Sequence, residues 1–338
     1  MPPGSPRARI SGLLGTVGHT PLVRLERLLG RANVSVWAKL EGANPGGSAK
    51  DRTASALVDA ALRGGLLRPG HGTLVESSSG NLGIGLARLA AWHGWTFHCV
   101  TDPRANRLTV AAIKALGGII HPVTDPDADT GEWLPARIAR VGELLAELPG
   151  AISLDQYGNP AALDAHDHGT MAEIVEELGA PPDWLFVAVS TTGTIGGCLR
   201  HLDRLGAPTH TVAVDALGSV LFGGEVGPRT LTGFGAGIVP DLALGASPTE
   251  VARVRDAASI RGCRLMARRE GILAGASGGA VVAALLERAD ALPPGSDVVL
   301  VLHDTGQAYL DTVYDDDWVR ETLGEDADAA LDLGEGTP

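Results

Sequence analysis

Short runs rich in valine, isoleucine and leucine alternate along the chain with longer segments whose apolar residues recur at helical spacing. The runs "VSVWAKLE" (34–41), "GTLVESS" (72–78), "TFHCVTD" (96–102), "IIHPVT" (119–124), "WLFVAVS" (184–190), "HTVAVDA" (210–216) and "DVVLVLHD" (297–304) read as strands. Helices are predicted between them at 48–63, 81–93, 106–116, 132–147, 160–178, 195–206, 249–269 and 277–291. Such alternation builds α/β folds, in which helices cover mainly parallel sheets. The strand at 72–78 and the next two, each followed by a helix, predict one compact unit, and the strands after about 150 predict another. The end, "EDADAALDLGEGTP" (325–338), is acidic, lacks aromatic residues and reads as a disordered tail.

Composition narrows the picture. A chain of 338 residues with 44% hydrophobic residues can bury a large core and is expected to hold about two domains. A formal net charge of −13 argues against nucleic acid or an anionic membrane as partner, because both need a broad basic surface. Pockets for small anions remain open. The cysteines Cys99, Cys198 and Cys263 are too scattered for a metal set and fit buried free thiols in a reducing cytoplasm. The opening "MPPGSPRARISGLLG" lacks the apolar core of a signal peptide, and no apolar run approaches the roughly 20 residues of a membrane helix.

Basic positions are nearly all arginine: lysine occurs only at 39, 50 and 114. Lys50 lies in "NPGGSAKDRTA" (44–54), where Ser48 and Asp51 form an S-x-x-D capping box. In the first turn, the positive end of the helix dipole lowers the pKa of the amine, which makes it usable as nucleophile or base; arginine cannot serve so. The bland alternative is a surface lysine. A Walker A loop is excluded, since Ala49 and Asp51 stand where glycine and Ser/Thr are required. Two glycine-rich turns, "ESSSGNLGIG" (76–85) and "STTGTIGG" (190–197), each follow a strand and open a helix, the arrangement that binds carboxylate or phosphate. Together with an amine lysine they suggest an aldehyde cofactor bearing a phosphate, with an amino-acid carboxylate beside it.

The motifs "NPGGSAKDR", "SSGN", "TTGTIGG", "GFGAGIVP" (233–240) and "EGILAGASGGA" (270–280) stand in an order that resembles the fold-type II pyridoxal-phosphate (PLP) enzymes, in particular the cysteine synthase and cystathionine β-synthase family. The resemblance runs from "VGHTPLVRL" (17–25) to "YLDTVYDDDWV" (309–319). It implies a tryptophan synthase β-like fold of two three-layer α/β domains with mainly parallel sheets. Residues 1–42 and 151–322 would form the larger PLP-binding domain, 43–150 a smaller mobile substrate-binding domain, and 323–338 the disordered tail. By the same resemblance Lys50 would carry PLP in Schiff-base linkage, and Asn81 would bond its phenolic oxygen. Ser190, Thr191, Thr192, Gly193 and Thr194 would hold its phosphate, and Ser277 would face its ring nitrogen. Ser77, Ser78, Ser79, Gly80 and Leu82 would hold the substrate carboxylate, helped by Gln156, with Gly233 and Gly235 near the cofactor edge. Homodimers acting on small-molecule amino acids are implied.

Departures from ordinary cysteine synthases concern the substrates. Leu82 replaces a threonine, Tyr157 a phenylalanine and Ser190 a glycine. These changes are similar to the family members that join O-phospho-L-serine and L-glutamate, giving a precursor of L-2,3-diaminopropionate for siderophores or peptide antibiotics. A phosphate leaving group and a dicarboxylate nucleophile need hydroxyl and guanidinium donors, and Tyr157, Ser190 and Arg137 can supply them. A solvated helix face is the alternative for Arg137, and an idle wall for Tyr157. His166 and His168 read as structural. Competing readings are a cysteine synthase or cystathionine β-synthase, a PLP-binding scaffold without turnover, and a nicotinamide dehydrogenase, which the lack of a clean GxGxxG after the first strand disfavours.

Overall fold

The computed structural model describes residues 12–31, 33–78 and 80–334. Ser79, expected at the substrate carboxylate, lies outside the described residues, as do the first eleven and last four positions. Strand β1 (Leu22–Leu25) pairs antiparallel with β2 (Ser35–Leu40), after which helix α1 (Lys50–Arg63) leads into a second sheet. That sheet comprises β3 (Thr73–Ser77), β4 (Thr96–Thr101), β5 (Ile119–Pro122) and β6 (Ala151–Ile152), with α2 (Asn81–His93), α3 (Arg107–Ala115) and α4 (Trp133–Glu147) between them. Its strands are all parallel, in the order β5-β4-β3-β6.

The chain then returns to the first sheet through α5 (Ala161–Ala165) and α6 (Ala172–Leu178), which are joined by a π-helical turn at His166–Met171. There follow β7 (Trp184–Ala188), α7 (Gly193–Leu205), β8 (His210–Ala216), β9 (Glu250–Val254), α8 (Asp256–Glu270), α9 (Ala276–Glu287) and β10 (Asp297–Leu302). The six-stranded order is β1-β2-β10-β7-β8-β9, parallel apart from β1. The chain closes with α10 (Asp316–Leu323) and α11 (Ala327–Leu331).

All seven strands expected from the hydrophobic pattern form, and three more appear. β1 and β6 are too short to show a period. β9 occupies the start of the helix expected at 249–269: "EVARV" alternates, with Ala252 and Val254 buried, while Arg253 Nη1 donates to the buried Asp215 Oδ2 at 2.8 Å. The disordered tail expected from 323 onward is corrected as far as Leu331. There Ala327 and Ala330 are buried, and α11 packs on α8. Small apolar residues spaced by three suffice to dock this acidic segment.

Helices α8 and α9 cross with backbones in contact. A Cβ on Gly262 would stand 2.1 Å from the Gly279 carbonyl, and one on Gly279 would stand 2.1 Å from that of Ser259. α9 is buried along nearly its whole length and carries Ser277 in its first turn. A second fixture surrounds α1. The Arg52 Nε donates to Glu41 Oε2 at 2.7 Å and its Nη1 to Glu173 Oε1 at 2.6 Å, while the fully buried Lys39 Nζ pairs with Glu173 Oε2 at 2.9 Å. Breaking such a buried pair typically costs about 3–5 kcal/mol, so α1 is pinned to β2 and α6 just behind Lys50. All three cysteines are free and buried. Among the described residues no helix is long and apolar enough to cross a membrane.

Candidate active site

Both sheets reverse direction at one point. In the smaller, the chain moves outward from β3 to β5 and returns on the other side of β3 as β6; in the larger, it moves outward from β7 to β9 and returns beside β7 as β10. Ligands of α/β proteins bind beyond the carboxyl ends of strands at such reversals. Here both reversals open onto one cavity of about 280 Å³.

Lys50 opens α1 on the cavity wall. The backbone before it runs beside the end of β10, with the Ala49 N–H donating to the His303 carbonyl at 2.8 Å. The capping differs in detail from the expected box. Ala49 occupies the cap position, the Ser48 hydroxyl accepts from the Lys50 N–H at 3.2 Å, and Asp51 Oδ2 reaches back to the Gly46 N–H at 3.0 Å. The amine pKa falls to about 8, because burial outweighs the opposing attraction of Asp304. The direction matches the expectation, with desolvation as its main cause.

Beyond β7, residues 190–194 form a cup at the start of α7. Thr192 is held at φ 61°, a left-handed conformation unfavourable for a β-branched residue. Ser190, Thr191, Thr192 and Thr194 line the cavity, whereas Gly193 is buried as the first residue of α7 and does not. Ser190 Oγ donates to the Gly235 carbonyl at 3.0 Å, tying the cup to the loop that carries Gly233. Behind the cup, the buried His166 bonds Thr194 Oγ1 at 3.3 Å and Thr53 Oγ1 at 3.1 Å through Nε2, and Thr170 Oγ1 at 2.9 Å through Nδ1. Burial and the neighbouring cations Lys50 and Arg52 push its pKa well down, so this histidine braces the cup in neutral form. His168 is exposed.

The opposite wall comes from the smaller sheet. Ser78, Gly80, Asn81 and Leu82 line the cavity, and Ser78 Oγ accepts from the Gly83 N–H at 2.9 Å. Ser77 sits behind them, where its carbonyl accepts from Gln156 Nε2 at 3.0 Å. Arg137 is buried on the cavity wall, its Nε 3.4 Å from Asp102 Oδ2, which removes the solvated-face alternative. Tyr157 also faces the cavity, and burial raises its phenol to about 12, so the hydroxyl stays protonated as a donor. Gly233, at φ 102°, and Ser277 also line the cavity.

The family model for pyridoxal-phosphate dependent enzymes matches residues 13–304. The chain belongs to this family. Two relatives named N-(2-amino-2-carboxyethyl)-L-glutamate synthase are similar along most of its length. That of Ralstonia nicotianae is 41% identical, covering 94% of each chain, and that of Cupriavidus metallidurans is 42% identical, covering 91% of each. Among solved structures, an O-ureido-L-serine synthase superposes with TM-score 0.83 at 30% identity, covering 97% of this chain and 98% of the other. An O-acetylserine-dependent cystathionine β-synthase from Helicobacter pylori superposes with TM-score 0.82 at 28% identity, covering 90% and 98%.

The family's cofactor is pyridoxal phosphate, and the cavity suits it. It presents an amine for an aldehyde, a hydroxyl-lined cup at a helix start for a phosphate, and polar groups at the base of α9 for a ring nitrogen. Both ring nitrogens of His303, which also lines the cavity, are buried without a hydrogen-bond partner among the described residues. So is the hydroxyl of Ser77. Such atoms cost free energy until a ligand or water meets them.

Sequence reasoning missed the carboxyl end of β10. Asp304 Oδ2 accepts from Asn81 Nδ2 at 3.0 Å and from the Tyr309 hydroxyl at 2.8 Å, so it joins the two sheets across the cavity. Burial raises its pKa, against the lowering by Tyr309, Asn81 and Ser277. The available signal was its place at the end of a central strand. Arg104, Arg229 and Glu132, three further charged residues on the cavity, were also missed.

Proposed function

We propose that the chain joins O-phospho-L-serine and L-glutamate by β-replacement, releasing phosphate and forming N-(2-amino-2-carboxyethyl)-L-glutamate. The observation that carries this reading is the buried Arg137 beside the protonated Tyr157, a donor pair suited to the several oxygens and higher charge of a phosphate and more than a departing acetate requires. Kinship with the two synthases of that name supports it.

In this reading Lys50 holds pyridoxal phosphate by its aldehyde carbon, Asn81 takes the phenolic oxygen, residues 190–194 take the phosphate and Ser277 faces the ring nitrogen. The loop from Ser77 to Leu82, braced by Gln156, orients the substrate carboxylate. When bound, the cofactor supplies an electron sink that weakens the Cα–H bond. Lys50 accepts the Cα proton and later returns it. The Cβ–O bond to phosphate breaks, the Cβ–N bond to glutamate forms, and the glutamate nitrogen gives up a proton. Arg137 and Tyr157 neutralise the departing phosphate.

The same reading makes residues 43–150 a unit that closes on the larger body, and makes the active species a cytoplasmic homodimer that supplies 2,3-diaminopropionate for siderophore or antibiotic assembly. The test is a substrate panel on the PLP-loaded enzyme: O-phospho-L-serine or O-acetyl-L-serine, each with L-glutamate or hydrosulfide, read by phosphate release and product mass. The expected result is phosphate release coupled to the glutamate adduct. Cysteine formed chiefly from O-acetyl-L-serine and hydrosulfide would overturn the reading in favour of a cysteine synthase.

A further inference from the structure

Apart from Lys50 and Asp304, the charged residues that line the cavity, Asp102, Arg104, Glu132, Arg137 and Arg229, fall into two sets that extend behind its wall. The inner set surrounds Tyr157, whose charged neighbours are Arg137, Glu76, Asp102 and Asp155. The outer set surrounds Arg229, whose neighbours are Glu132, Arg104, Asp215 and Asp256. Asp102 links them, its Oδ2 lying 3.4 Å from Arg137 Nε and 3.6 Å from Arg104 Nη2. One carboxylate thus serves two guanidiniums, and that of Arg104 lies 5.8 Å from the centre of the Trp133 ring.

Arg229 comes from the other side of the cleft. Its guanidinium lies over the loop 233–237: a Cβ on Gly235 would stand 3.3 Å from Nη1, and one on Gly237 would stand 3.1 Å from Nη2. Glu132, just before α4 of the smaller sheet, seats Oε2 at 2.8 Å from the same point above Gly237. The two nonetheless form no ion pair, and Arg229 Nε is buried without a hydrogen-bond partner among the described residues. A guanidinium left unmatched beside a cavity costs free energy that an anionic ligand recovers.

Resting on the function proposed above, we infer that Arg229 and Arg104 hold the two carboxylates of the incoming amino acid and that Glu132 faces its nitrogen. Of the outer set only Arg229, Arg104 and Glu132 line the cavity, two cations and one anion, which are complementary in sign to a dicarboxylic amino acid, while the charge of the shared Asp102 is offset by Arg137. The site adjoins the inner Arg137–Tyr157 pair through Asp102 but uses different guanidiniums, so leaving group and nucleophile have neighbouring anion subsites. Since Arg229 belongs to the larger body while Arg104 and Glu132 belong to the smaller one, the subsite is complete only when the two face each other.

Glutarate, which has both carboxylates and no nitrogen, separates this inference from the reaction. Calorimetric titration of the PLP-loaded full chain with glutarate and with L-glutamate is compared among wild type, Arg229→Ala, Arg229→Lys and Glu132→Gln. Arg229→Ala is expected to weaken both ligands about 10- to 100-fold, with Arg229→Lys intermediate. Glu132→Gln, which removes a negative charge beside the carboxylates, is expected to tighten glutarate and weaken L-glutamate. These opposite signs would not follow from a merely damaged fold, and thermal unfolding identifies any variant that is damaged. Unchanged glutarate affinity in Arg229→Ala, or the same direction of change for both ligands in Glu132→Gln, overturns the subsite. Should the wild type consume no glutamate yet bind glutarate through Arg229, the proposed reaction fails while the anion subsite stands.

Discussion

The chemistry of Lys50 depends on how much of its amine is neutral, and burial sets that fraction. An exposed lysine titrates near 10.4, whereas this one is lowered to about 8. The neutral form, which attacks an aldehyde, therefore accumulates as pH rises through 8 and is lost below it. Capture of pyridoxal phosphate by the cofactor-free chain, followed by absorbance from pH 6.5 to 10, is expected to accelerate to a plateau above about 9, one unit beyond the lowered pKa; a rate still climbing at pH 10 would contradict that pKa. Lys50 was legible because lysine is so scarce in this chain and because glycine-rich turns accompany it. Asp304 and His303 were not, since "VLVLHDTG" differs little from the end of any buried strand until topology brings Asn81 and Tyr309 to the carboxylate.

At the level of elements, the α8–α9 crossing fixes where Ser277 stands. Replacing glycine by alanine inside a helix ordinarily stabilises it by about 1 kcal/mol. At Gly279 the sign should reverse, because the new methyl would meet the Ser259 carbonyl and the Cys263 sulfur. Gly279→Ala is expected to destabilise by about 1–3 kcal/mol in chemical denaturation. Gly142→Ala in α4, where nothing lies within 4 Å of the new methyl, should stabilise or leave stability unchanged. Equal effects at the two positions would refute close backbone contact as the reason for glycine at 279. The helices themselves were legible from apolar spacing, and the strand β9 was hidden because a five-residue alternation merges with the helical pattern after it. Which helices touch is a matter of tertiary packing, and spacing along one segment carries no record of it.

For the molecule as a whole, the alternation of strands and helices revealed two sheet units, while the order in which strands lie side by side comes only from the fold. That order turns both sets of carboxyl ends inward, and it gathers Arg104, Arg137 and Arg229 inside a molecule whose formal net charge is −13. The consequence concerns how substrates arrive. At low ionic strength an anion approaching from solution meets the repulsion of the whole acidic body before it senses the guanidiniums. At about 0.1 M salt the screening length shrinks to about 10 Å, and the distant repulsion fades while contacts within the cleft persist. Added salt should therefore raise kcat/KM for O-phospho-L-serine between about 10 and 100 mM, before competing ions depress it; a steady fall from the lowest salt would mean that the cleft's own field already governs capture. The acidic exterior thus acts as a toll on entry that dissolved salt lowers, while the cationic cleft governs what happens after entry.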